Sequence, residues 1–140
     1  MRALSIRHPF IDVILAGTKP VEVRAYATLH RGDLLLHASG SYSYLEKEEL
    51  ARLRAAGHEV PDPTKATRGA LVGVAQLTDC HRMTEADWSR ALIAPREGTW
   101  WAWELEAVEA FPEPIPYPGR LFMFEVEDEE LEDALAAAST

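Results

Sequence analysis

The chain has 140 residues, with 14 Lys and Arg against 23 Asp and Glu, for a formal net charge of −9. That length predicts one domain with a proper core, and so acidic a body excludes tight binding along an extended duplex, which needs many phosphate contacts. No apolar run approaches a membrane span, and a single cysteine, Cys80, excludes an intrachain disulfide framework and fits a reducing compartment.

The first element is a short strand over residues 3–6, followed by Arg7-His8-Pro9. Pro9 suits the first turn of a helix, where its missing N–H costs nothing. Phe10, Val13 and Ile14 then trace about two turns that Gly17 ends. From Lys19 to Arg24 the pattern is extended, with side chains alternating between faces. Glu22 and Arg24 share one face, and Val21 and Val23 the other. Arg31-Gly32-Asp33 marks a turn, and residues 34–39 read as a buried strand.

Residues 44–56 form the clearest helix, with Leu45, Leu50 and Leu53 on one side and Gly57 as its stop. Residues 58–68, with Pro61 and Pro63, read as a loop. A strand is predicted over residues 69–78, then a short helix over 85–92 with Thr84 as its N-cap. Strands follow at 100–108 and 121–126. Between them FPEPIPYPG is expected to be irregular, wrapping the surface in extended form. Residues 129–140 are an acidic tail of some helical propensity whose end is expected to fray; residues 1–128 are the domain proper. Dispersed strands with few helices predict an α+β fold around a curled sheet. Met1-Arg2-Ala3 leads into that fold rather than into a signal peptide, so a cytoplasmic location is expected.

The chemistry concentrates in Gly17 to Arg24, which reads G-x-K-x-x-E-x-R. A charged pair on one face of a strand whose other face is apolar suits the wall of a polar cleft. Glu22 and Arg24 also suit a simple ion pair. Lys19 suits either a helix-end charge or, with its pKa lowered by partial burial, a phosphate contact or proton-transfer group. Residues 1–40 balance to about +2 (Arg2, Arg7, Lys19, Arg24 and Arg31 against Asp12, Glu22 and Asp33), and the remainder to about −11. A small basic cleft in an acidic body fits one nucleotide or a short single strand.

Taken in order, LSIRHPF, ILAGTKPVEVR, RGDLLLHAS, GALVGVAQLTDC, WWAWEL and PEPIPYPGRLFMFEV resemble the ASCH family of the PUA-like superfamily over residues 3–126. The two ends are similar to the branch named for an endothelial lipopolysaccharide-associated factor. The resemblance implies a PUA-like β-barrel of five to six mixed strands with covering helices. It also implies a cleft marked by Lys19, Glu22 and Arg24, with Arg7 and His8 at its entrance and Ser39 as a hydrogen-bond donor. Single-stranded RNA or a nucleoside or nucleotide is the implied ligand, with no membrane and no named protein partner.

The alternative is a hydrolase acting on a modified nucleoside or on RNA, with Lys19 and Glu22 as acid/base partners. One bacterial ASCH branch hydrolyses N4-acetylcytidine with a lysine, a threonine and a glutamate. Here Glu22 stands where that threonine is, Thr18 is displaced by one residue, and the later acid is Asp79, with Gln76 an uncharged alternative. No cofactor and no metal are expected, since the five histidines are scattered without a ligand spacing.

Overall fold

The computed structural model describes residues 1–138, with side chains as far as Asp133. In chain order the elements are β1 (Arg2–Ile6), α1 (Phe10–Leu15), β2 (Val21–Arg24), β3 (Gly32–Ala38), α2 (Glu46–Ala55), β4 (Ala70–Arg82), α3 (Glu85–Arg90), β5 (Trp101–Pro116), β6 (Met123–Glu125) and α4 (Asp128–Ala138). The six strands form one mixed sheet in the order β2-β5-β4-β3-β1-β6. Only β1 and β3 pair in parallel; the other ladders are antiparallel. The sheet curls into a half-barrel and the fold is α+β, as the sequence pattern predicts.

The core follows strand alternation and helix periodicity. On one face Leu4, Ile6, Leu34, Leu36 and Trp103 pack with α1 residues Phe10, Val13 and Ile14 and α2 residues Leu50 and Leu53. On the other, Ala3, Leu35, Leu71, Ile115, Phe124 and Val126 receive Leu131 of α4. Gly17 and Gly57 close α1 and α2 at φ +82° and +93°, a region that L side chains rarely adopt. Thr84 caps α3 through a capping box with Asp87. The expected frayed end of the tail, residues 139–140 and the side chains from 134 onward, lies outside the described residues.

Two boundaries differ from expectation. β4 runs on to Arg82, carried by its ladder with β5 as far as Arg82↔Trp101. β5 also continues through the proline segment to Pro116, as a strand whose ladder with β4 shifts register there. The Tyr117 N–H donates to Gly69 O on the β4 side at 3.1 Å. Pro116, opposite Ala70, therefore directs its nitrogen to the opposite edge, and Pro112 and Pro114 lie in the register shift between Leu71↔Ile115 and Gly73↔Ala110. β2 pairs along that edge only at Trp101 to Glu104, so Pro116 forfeits no ladder bond.

Candidate functional site

β2 is an edge strand paired with β5, and Glu22 lies opposite Trp103. Val21 and Val23 are buried against Ala91 and Ala102, which leaves Glu22 and Arg24 on the opposite side. Arg24 Nε and Nη2 donate to Glu22 Oε2 at 3.1 and 2.9 Å, and Nη2 also donates to Ser5 O on β1 at 2.7 Å. Arg24 Nη1 makes no hydrogen bond among the described residues. The pair is thus an ion pair, and it also walls a cleft.

Lys19 is fully buried. Its Nζ lies 3.8 Å from Glu22 Oε1, donates to Ala91 O at the end of α3, and sits 5.1 Å from the Phe10 ring centroid. Burial pushes the ammonium down to about 8, and the Glu22 carboxylate opposes that shift. The expected convergence of Lys19, Glu22 and Arg24 is present, with Glu22 bridging the two cations. The expected exposure of Lys19 to a ligand is not. Its ammonium lies beneath the cleft, at the negative end of a helix 72 residues away in sequence.

Two adjoining clefts, of about 370 and 490 Å³, share Ser5, Arg7, Arg24 and Phe122. The first is aromatic, with Phe10, Tyr26, Trp100 and Phe122 around Glu22, and Arg96 at its rim. The second is polar, with Ser39, Gly40 and Ser41 facing Gly119 and Arg120. Arg96 stacks near Trp100, its guanidinium 5.3 Å from the ring centroid. Neither Arg96 nor Arg120 makes an ion pair among the described residues. Phe122, at φ +62°, contacts Tyr26 edge-on at 5.1 Å and divides the two spaces.

Of the expected residues, Arg7, Glu22, Arg24 and Ser39 line these clefts. Arg7 is also held by Glu49 at 3.0 Å. His8 does not line them. It is buried, with Nδ1 2.5 Å from Asp12 Oδ2, because the turn into α1 directs the ring inward. Asp79 and Gln76 lie away from the cleft, bonded to His81 and Asp33 respectively. Lys19 and Glu22 therefore have no third catalytic group at either of those positions. Tyr26, Trp100, Arg96, Arg120 and Phe122 were not expected as a group. They come from three loops, after β2, α3 and β5.

One histidine does meet two carboxylates in space. His81, Asp87 and Glu104 bring ligand atoms within 4.8 Å of one another. Arg90 already occupies both carboxylates, at 3.1 Å from Asp87 and 2.6 Å from Glu104. His81 Nε2 lies 2.9 Å from Asp87, which raises the pKa of its imidazole against the pull of burial. A cation there would have to displace a guanidinium, so the cluster reads as an ion-pair network fastening α3 to β4 and β5.

Comparison with known proteins agrees with this architecture. The family model described as ASCH domain matches residues 4–115. The chain is similar to Activating signal cointegrator 1 of Mus musculus, 33% identical over 82 residues, 55% of this chain and 14% of that protein. The Homo sapiens protein of the same name is 32% identical over 82 residues, again 55% and 14%. The chain thus spans about one-seventh of those relatives' length. In three dimensions it resembles ASCH from Zymomonas mobilis, with a TM-score of 0.63 and 14% identity over 97% of this chain and 93% of that one. A mutant form of the same protein gives 0.61 and 15%, covering 96% of each chain. At such identities the structures speak to the fold. The lipopolysaccharide-associated branch suggested by the two ends gains no support from these relatives. No helix among the described residues is long and apolar enough to cross a membrane.

Proposed function

We propose that this chain, which belongs to the ASCH domain family, binds an unpaired nucleotide or a short single-stranded RNA in the paired clefts around Arg24. ASCH domains are PUA-like folds associated with RNA binding. One observation carries the reading: in a chain of net charge −9, the guanidinium groups of Arg24, Arg96 and Arg120 gather around two adjoining clefts, one of them aromatic-walled. A flat base fits between rings such as Tyr26, Trp100 and Phe122. The Glu22 carboxylate accepts from a base amine. Ser39, Arg7 and Arg120 suit the adjoining phosphate. Lys19 acts from beneath by fixing Glu22 rather than by touching the ligand.

Fluorescence anisotropy with a labelled five-nucleotide RNA, as single strand and as duplex, tests this. Binding of the single strand, preferred over the duplex and lost in Arg24→Gln, is expected. Equal binding of both forms, or binding indifferent to Arg24→Gln and Arg120→Glu, overturns it.

A further inference from the structure

β1 and β3 pair in parallel with Ser5 opposite His37, so the two side chains emerge side by side on one face. Ser5 Oγ lies 2.9 Å from His37 Nδ1, and His37 Nε2 lies 2.6 Å from Tyr117 O. A carbonyl oxygen only accepts, so Nε2 carries the proton. A neutral imidazole has one N–H, so Nδ1 turns its lone pair to the Ser5 hydroxyl. Burial lowers the His37 pKa, which favours this neutral form, with the Tyr117 carbonyl opposing the shift. The loop after β5 closes on the pair as tightly as glycine permits: a Cβ at Gly119 would sit 2.8 Å from His37 Cε1 and 3.2 Å from Ser5 Oγ.

A buried histidine satisfied at both nitrogens is ordinary packing in most cores. Here its partner lines both clefts, beside Arg7 and Arg24, and Arg24 is bonded to the carbonyl of Ser5 itself. A hydroxyl in a cleft, a base hydrogen-bonded to it and a third group orienting that base are the requirements of an activated nucleophile. Arg7 and Arg24 line the same clefts as Ser5, a source of positive charge for an oxyanion formed there.

We propose that Ser5 is a nucleophile with His37 as its general base, and that the pair hydrolyses an acyl ester carried by a nucleotide-like anion. Ser5 Oγ bonds to the acyl carbon as its proton passes to His37 Nδ1. Arg7 and Arg24, in the same clefts, supply the positive charge that stabilises the tetrahedral oxyanion. The ester C–O bond breaks, and the leaving alcohol takes the proton from Nδ1. Water then adds to the acyl-Ser5, giving its proton to Nδ1. The carboxylic acid departs as Ser5 Oγ recovers a proton. The acyl chemistry follows from the pair alone; that a nucleotide carries the acyl group rests on the function proposed above.

The test treats the whole chain with a fluorophosphonate probe, maps the adduct by mass spectrometry and follows p-nitrophenyl acetate turnover. Labelling of Ser5 is expected, with turnover lost in Ser5→Ala at unchanged thermal stability and slowed roughly a hundredfold or more in His37→Gln. An unlabelled Ser5, or Ser5→Ala turning over at the wild-type rate, overturns the proposal, and that small variant decides the matter even if His37→Gln does not fold. Protection of Ser5 by a nucleoside monophosphate is expected. Labelling without such protection overturns the nucleotide as carrier and leaves the acyl chemistry standing.

Discussion

Arg24 on β2 donates to the backbone carbonyl of Ser5 on β1 at 2.7 Å, although three strands separate β2 from β1 in the sheet. The sheet must curl for those strands to meet. The guanidinium is the staple at their seam, and the same group holds Glu22 through two further bonds. Arg24 therefore sits where the fold closes and where the cleft opens.

Replacement of Arg24 by Lys removes the fork that serves both partners, because an ammonium cannot reproduce its planar geometry. Glu22, buried, loses the two bonds that its Oε2 accepts. Arg24→Lys is expected to destabilise the chain by about 2–3 kcal/mol in urea denaturation, and to weaken RNA binding as well. A variant within 0.5 kcal/mol of wild type, on the ordinary scatter of surface substitutions, would show that the seam is held by other contacts.

Salt dependence reads the number of phosphates engaged. With about three guanidinium groups at the cleft, the slope of log affinity against log salt for single-stranded RNA is expected near −2, from roughly −0.7 per phosphate. Arg120→Glu, at an exposed position, is expected to lower affinity about tenfold with no change in thermal stability. A slope beyond about −4 would demand a basic surface that the acidic body does not offer.

The pairing of Glu22 with Arg24 was legible because strand alternation is local: two residues on, the same face returns. The burial of Lys19 was not, because it depends on where α3 ends. The Ala91 carbonyl that takes the ammonium is brought there only by tertiary packing. Arg96, Arg120 and Phe122 were hidden for a related reason. They sit on loops, where sequence shows polarity and turn chemistry but not which element the loop overhangs. The strand through Pro112, Pro114 and Pro116 was missed because proline counts against strands in general. A register shift in the β4–β5 ladder takes up Pro112 and Pro114, and Pro116 turns to the edge that β2 leaves unpaired, both of them properties of strand pairing rather than of local sequence.

Gly73 tests the packing of α1 on the sheet. An added Cβ would lie 2.5 Å from Glu109 O and 2.9 Å from Leu15 Cδ2. The first contact is with backbone in the β4–β5 ladder, which cannot yield without moving a strand. Gly73→Ala is expected to cost about 2–3 kcal/mol in thermal or urea denaturation. A neutral result would mean that β5 shifts at this irregular register at little expense.

Lys19 supplies the pH signature. Its ammonium is held at about 8 in the folded chain, against 10.5 for an ordinary lysine. Below pH 8 both states carry the proton, and the cost of burying the charge is constant. Between about 8 and 10.5 the unfolded chain binds more protons than the folded one, so this residue makes stability rise with pH, by about 3 kcal/mol in all. Other groups titrate there too, so the measurement is a difference: urea denaturation of wild type and Lys19→Met at pH 7, 8, 9 and 10. The wild type should gain on Lys19→Met as the pH climbs. Parallel pH profiles would mean that the ammonium reaches solvent, and the cleft would then offer a ligand a further cation beside Arg7, Arg24 and Arg96. The same variant separates a buried support from a direct contact. With Lys19 beneath Glu22, Lys19→Met should change RNA affinity far less than Arg24→Gln does.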